Sequence, residues 1–485
     1  MKNILARGLA FLLVFVFVAS PVWATCGGGG GGGGGGMSGG GGGSTPTVYH
    51  VPWKFRDPKA AAPNAGMILY WFPSAKDQLK TASIIESRDL SLYASQCVTM
   101  MIADSTMPDF DKLVGGSKLP VVVLANTDDS PVGKVENKDD KFKVADVEKL
   151  VGGEIKNRKI NVEASLKDAK AKSDAGDKPA AIQLYKSVVE QKCMFPDKAK
   201  EAANALKKLG AENIGEVMPS PNFDPAVTAS ITSIMKKGLA AENASRYKLA
   251  EQYYARASNI DPADPTPIRY LGELHRHHIG NWIKARAEFN KILNMPADPL
   301  SRAVALHGLG KMTIHDGDFK KGLGLMENAV AEYPLSLAYR NLAVYWNSEG
   351  NMTKANEYTA KALEVSPDDP FTVIFAAVYM AGNGKKDEAI AIAMKHIDFL
   401  PASYNLAAVF SQAGQKDKAL ELLKRHFYTY ERYHEVRAKE MMEARVDSVF
   451  DPIRFDKEFI ALTKEADGRL PIPPMRTGEP SGNDQ

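Results

Sequence analysis

The sequence predicts a multidomain fold, an α/β domain followed by an all-α superhelical solenoid of stacked helical hairpins. Three observations carry this. Between residues 67 and 124, short apolar runs alternate with helical stretches, the pattern of strands and helices around one core. From Arg158 onward the strand pattern stops, and helix periodicity continues to about residue 466. Within that half Pro262, Pro296, Pro334, Pro367 and Pro401 follow one another at 34, 38, 33 and 34 residues, a period that marks a repeat array.

The first element is a leader. Lys2 and Arg7, an apolar run from Gly8 to Ala19, then Ser20-Pro21 have the layout of a secretory signal peptide, assigned to residues 1–25. The run is too short to remain as a membrane-spanning helix. Two processing routes fit the residues after it. Val22-Trp23-Ala24 reads as an ordinary cleavage site, which gives a soluble periplasmic or secreted protein. Alternatively, Val22-Trp23-Ala24-Thr25-Cys26 before glycines resembles the start of a bacterial lipoprotein. That resemblance implies a lipid on Cys26 as the membrane attachment and, with Gly27 next, the outer membrane. The second route is preferred, because a lone cysteine heading a glycine spacer has little other purpose. Residues 27–43 are Gly except Met37 and Ser38, so 26–46 forms a tether with a reach of about 23 Å.

Composition narrows the function. Hydrophobic and charged fractions of 44% and 25% are those of a globular protein. The net charge of +3 falls to +1 when Lys2 and Arg7 leave with the leader, which argues against a nucleic-acid partner. Besides Cys26 there are only Cys97 and Cys193, in different expected domains, so two small buried thiols are expected rather than a disulfide.

The α/β domain is placed at 47–153. Met67–Phe72, Cys97–Ile102 and Pro120–Leu124 read as buried strands, Ala75–Tyr93 as a helix and Val144–Val151 as a closing helix. A buried strand entering a helix, a later Leu119-Pro120 before a Val-rich strand and a closing helix resemble the thioredoxin fold, which implies that Pro120 is cis. Matching Leu69-Tyr70-Trp71 to that family's strand puts Lys76-Asp77-Gln78-Leu79 where its cysteine pair stands, 44 residues before Pro120. Both sulfurs are missing, so this thioredoxin-like domain reads as redox-inactive.

Helical hairpins follow: a first unit at 154–212, a Pro-rich linker at 213–225, about six hairpins over 226–427, capping helices at 428–466 and a disordered tail at 467–485. Gly238, Gly272, Gly310, Ala343, Ala377 and Ala407 put a small residue on each first helix. Ser245, Gly280, Gly317, Gly350, Gly384 and Gly414 stand at the turns, and Ala250, Ala285, Gly322, Ala355, Ala389 and Ala419 on the second helices. Bulky Tyr254, Phe289, Met326 and Leu423 come four residues later, with Thr359 and Ala393 as exceptions. These columns resemble the tetratricopeptide repeat.

In that family the first helices line a concave groove that takes protein or peptide partners. Carried over column by column, the groove candidates are Arg269, Tyr270, Glu273, Arg276, His277, Lys311, His315, Arg340, Asn341, Asn347, Tyr404 and Asn405. Arg and Asn there supply the donors that a peptide carboxylate needs. His275–His278 is the densest histidine cluster, but consecutive helical residues diverge, so no metal is expected. No nucleophile motif or phosphate loop occurs, and no cofactor is expected. The expected function is a non-enzymatic, envelope-anchored scaffold or adaptor. The alternative is a periplasmic thiol oxidoreductase or disulfide-handling chaperone acting through Cys97 or Cys193.

Overall fold

The computed structural model describes residues 48–464 apart from 58–62, 64, 76–77, 82, 139–140, 212–220 and 432–433. The leader, Cys26, the tether, Lys76-Asp77, most of the linker and the tail therefore lie outside the described residues.

A five-stranded sheet comes first: β1 (Lys54–Phe55), β2 (Met67–Phe72), β3 (Val98–Ile102), β4 (Val121–Ala125) and β5 (Pro131–Glu136), in the order β1-β3-β2-β4-β5. β3 pairs parallel with β1 and β2, whereas β4 is antiparallel to both β2 and β5. Every residue of β2 is buried, because its two faces enter different cores. Leu69 and Trp71 pack with Met100, Val122, Val147 and Val151, while Ile68, Tyr70 and Phe72 pack with Leu113 and Val114. The Leu119–Pro120 peptide is cis, as the family resemblance implies.

The expected helix Ala75–Tyr93 is broken. It becomes α1 (Gln78–Thr81), a 3₁₀ turn and α2 (Arg88–Ala94), because Ser87 accepts a hydrogen bond from Leu90 N–H and starts a new helix. α3 (Phe110–Val114) follows β3. The closing helix does not stop at Val151: α4 (Val144–Asp174) runs on for 31 residues. Gly152, inside this helix, serves close packing, since a Cβ there would stand 2.7 Å from the Tyr93 hydroxyl.

The cysteines also correct the expectation. Cys97 sits just before β3 at φ 60°, not within the strand, and forms a disulfide with Cys193 across 96 residues. Cys193 lies past the end of α5 (Lys178–Glu190), which turns back along α4, so the two expected domains meet at this bond. α6 (Pro196–Lys208) then packs on α5.

The array consists of α7 (Pro225–Asn243), α8 (Tyr247–Ile260), α9 (Pro265–Leu274), α10 (Trp282–Leu293), α11 (Pro299–His315), α12 (Phe319–Glu332), α13 (Ser336–Ser348), α14 (Met352–Val365), α15 (Pro370–Gly382), α16 (Lys386–Lys395), α17 (Ser403–Gln412) and α18 (Lys416–Arg425). Consecutive helices pair as hairpins, and the hairpins stack as a helical solenoid. The turn column is left-handed throughout, from Ser245 at φ 58° to Gly317 at 96°, the conformation that closes a helix. The small column is set by contact. The Phe289 ring is held between Gly272 and Gly308, where added Cβ atoms would lie 2.4 and 2.3 Å from it.

Two helices follow, α19 (His434–Val446) and α20 (Lys457–Thr463). α20 packs on α18, as a cap would. α19 packs on α20, with Met441 and Ala444 in the same core as α17 and α18, and its other side reaches the end of α11 and the π-helical turn His275–Ile279 that follows α9.

Candidate functional site

The first helices were expected to line a concave groove that takes protein or peptide partners. It is covered instead by two stretches of this same chain. Ten of the twelve candidates lie on first helices and Arg276 and His277 on the π-helical turn after α9; all are buried except His277, His315 and Asn347, which are half-buried.

The first occupant is extended. Residues 48–55 run from α7 and α9 to the end of α12. Val48 and Tyr49 join the core of α7 and α9 with Ile231, Met235 and Leu274. Tyr270 O–H donates to the Val48 carbonyl at 3.3 Å, and Tyr333 O–H to the Trp53 carbonyl at 3.4 Å. The Lys54 ammonium reaches the Glu332 carbonyl. Burial, with the Arg269 charge beside it, pushes the His50 imidazole down to about 4.

This segment meets the sheet domain at a buried ionic node. Tyr49 O–H donates to Asp264 at 2.7 Å. Arg88, from the start of α2, donates to Asp264 at 3.0 Å, Asp261 at 2.7 Å and Thr228 at 2.9 Å. Asp264 also caps α9 by accepting from Thr266 N–H. None of these residues stood out in the sequence beyond the Asp261-Pro262-Ala263-Asp264-Pro265 spacing, which marks a helix start and not a cross-domain clamp.

The second occupant is α19. His315 Nε2 stands 3.1 Å from Glu443, and Glu440 is 3.5 Å from His426 and within the electrostatic reach of Lys311 and His277. Beneath it Glu273 accepts from Arg276 at 3.2 and 2.9 Å and lies 3.3 Å from His277. Burial opposes ionisation of Glu273, but Arg276 and His277 outweigh it and hold the carboxyl well below its usual range. Burial and the Arg276 charge depress His277. Asn341 lies 2.6 Å from His307, an uncharged ring by the same logic, since burial and Arg276 push it well down.

Arg340 and Tyr404 are committed internally. Arg340 donates to Asp369 at 2.8 Å and Thr372 at 2.7 Å, and so ties α13 to the start of α15. Tyr404 donates to Asp447 at 3.0 Å, and burial pushes that carboxyl up to about 7. Asn405 lines a narrow crevice with Val344, Phe375 and Val449. Asn347 remains half-buried at the end of α13.

No group of three or more His, Cys, Asp or Glu among the described residues is arranged to hold a metal ion. No described helix is long and apolar enough to cross a membrane. The thiols on which the oxidoreductase alternative rested are joined to each other.

No protein-family model matches the chain. It is similar to the protein CTR9 homolog of Arabidopsis thaliana, 23% identical over 230 residues that cover 38% of this chain. The match spans 21% of that protein. Among solved structures it is similar to MamA, at 18% identity and a TM-score of 0.23, covering 39% of this chain and 91% of that one. A tetratricopeptide repeat protein from Parabacteroides merdae matches at 17% identity and TM-score 0.29, covering 48% and 99% of the two chains. Cut9–Hcn1 of the APC/C matches at 12% identity and TM-score 0.31, covering 63% and 74%. The repeat assignment stands on the period, turns and packing described above.

Proposed function

We propose that this chain is a non-enzymatic scaffold or adaptor that binds protein partners through the inner wall of its tetratricopeptide array. The observation that carries this is that the wall already binds polypeptide in two forms, the extended segment 48–55 and the helix α19. Arg, Lys, His and Asn side chains on first helices supply the donors, and Tyr270 and Tyr333 hold backbone carbonyls, a contact indifferent to side-chain identity. The sheet domain, thioredoxin-like with no cysteine pair, acts as a brace on one edge of the array.

We further place the protein at the bacterial cell envelope, as an outer-membrane lipoprotein held by Cys26. The leader pattern and the glycine tether support this, and so does the Cys97–Cys193 disulfide, since such bonds persist in oxidising compartments. Mass spectrometry of the mature N-terminus tests it: diacylglyceryl on Cys26 is expected, and an unmodified Thr25 start refutes it.

The binding role is tested by photo-crosslinking. A benzoylphenylalanine replaces Asn347, on the wall side, or Asn356, which is exposed on second helix α14. Discrete protein adducts from position 347 and none of the same from 356 are expected. Identical adducts from both, or none from 347, defeat the proposal.

A further inference from the structure

The extended segment 48–55 lies over a cation that the protein does not neutralise. Arg269, on α9, is 1% exposed. Among the described residues it takes part in no ion pair, and its buried Nε has no hydrogen-bond partner. Arg276 and Arg340 on the same wall are paired with Glu273 and Asp369. Arg269 has no such carboxylate.

Its neighbours do not make up the difference. The Tyr270 ring centre stands 5.7 Å from the guanidinium carbon, a contact worth about 0.5–2 kcal/mol. From the extended segment His50 adds a ring that burial and the Arg269 charge hold neutral. Tyr333 lies within electrostatic reach of both Arg269 and Asp298. Asp298, however, is committed to the start of α11, where it accepts from the Ser301 N–H at 2.9 Å and the Ser301 hydroxyl at 2.7 Å.

A buried histidine escapes its charge by losing a proton, as His50 does, but a guanidinium cannot. Enclosing such an ion without a partner costs several kcal/mol, more than one aromatic face returns. A buried polar group left without a partner in a native fold points to a bound water or ion. Only an anion also removes the charge.

We propose that Arg269 and His50 form a binding site for a small monovalent anion, a carboxylate or a halide, which pins the extended segment to the wall. The guanidinium presents a fork that fits the two oxygens of a carboxylate and that a single halide can share. The neutral imidazole supplies one N–H to the same ligand. The site is enclosed between α9 and residues 48–55, which restricts it to small anions. It does not depend on the scaffold reading.

The experiment uses the full-length chain in a buffer whose salt is a bulky sulfonate, titrated with sodium chloride or sodium formate at constant ionic strength. Chloride NMR is expected to show line broadening by the wild-type chain, and R269M is expected to lose at least about half of it. Either anion at saturation is expected to raise the wild-type melting temperature by at least about 2 °C and to slow hydrogen exchange at residues 48–55 at least about tenfold. R269M is expected to melt at one temperature in all three salts, because it has no buried charge to neutralise. Formate that displaces chloride, and stabilises at lower concentration, identifies a carboxylate as the ligand; the reverse order identifies a halide.

Equal responses from the wild-type chain and R269M overturn the proposal. Should R269M fail to fold, R269Q carries the same comparison. A wild-type chain that leaves the chloride line sharp and melts alike in all three salts is fatal without any variant.

Discussion

Replacing Arg88 with Met keeps an apolar stem of similar length and deletes the guanidinium that joins the sheet domain to the array. Arg88 is 4% exposed and holds two carboxylates that are themselves 3% and 0% exposed. After the change Asp261 keeps the Asn222 and Ala263 N–H donors, and Asp264 keeps Tyr49 and Thr266. Each remains hydrogen-bonded, yet two buried anions lose their counter-charge, and breaking such a pair from one side costs about 3–5 kcal/mol. Asp264 has an escape. Burial already raises its carboxyl against the pull of Arg88, so without Arg88 it takes up a proton more readily. A carboxyl whose folded value lies above its unfolded one penalises the fold as pH rises above the unfolded value, and each unit of fall restores about 1.4 kcal/mol. The loss should therefore be largest near pH 7.5 and visibly smaller at pH 5. Urea unfolding at both pH values, followed by Trp53 and Trp71 fluorescence, measures it. A loss below about 1 kcal/mol at pH 7.5, the range of an exposed pair, or an equal loss at both pH values, refutes the argument.

Glu242, buried against the Tyr254 hydroxyl, has its carboxyl raised by burial to about 7. Stability should fall as pH rises from about 4.5 to 7, by about 3 kcal/mol in all, and a chemical-denaturation pH profile of Glu242→Gln should lack that slope. Gly272→Ala drives a methyl into the Phe289 ring and should cost about 1–3 kcal/mol. Gly324→Ala, with nothing within 4 Å of its Cβ in α12, should instead stabilise by about 0.5–1 kcal/mol. Thermal unfolding of the pair distinguishes packing from helix propensity, and the same sign for both changes contradicts it. The C97S/C193S double variant should lose about 2–5 kcal/mol in denaturant titration, with a loss near zero counting against a structural role.

The repeat columns were legible because each is local. A turn that needs positive φ shows itself as Gly280 or Gly317, and a close crossing as Gly272 seventeen residues before Phe289. β2 was legible as an unbroken apolar run, whereas β5 was not, since its residues are exposed or half-buried at a sheet edge and leave little hydrophobic signal. The closing helix runs past the expected end at Val151 because Gly152 marks a close contact with Tyr93 rather than a helix end. Ten of the twelve wall candidates fall on first helices and Arg276 and His277 on the turn after α9, but the partners of all of them were invisible. Val48 meets Tyr270 across 222 residues and Tyr49 meets Asp264 across 215. No periodicity encodes a contact of that span.

The disulfide gives the chain a topology that its sequence order conceals. Cys97 and Cys193 close a covalent ring containing β3, β4, β5, α4 and α5, so the edge of the sheet domain and the first hairpin are one loop of bonded chain. A protease that cuts once within it, for example at the exposed residues between β5 and α4, leaves a single molecule of unchanged mass on a non-reducing gel. Two fragments separate only when the sulfurs are reduced. This exposed connection can thus be severed without releasing either half of the protein.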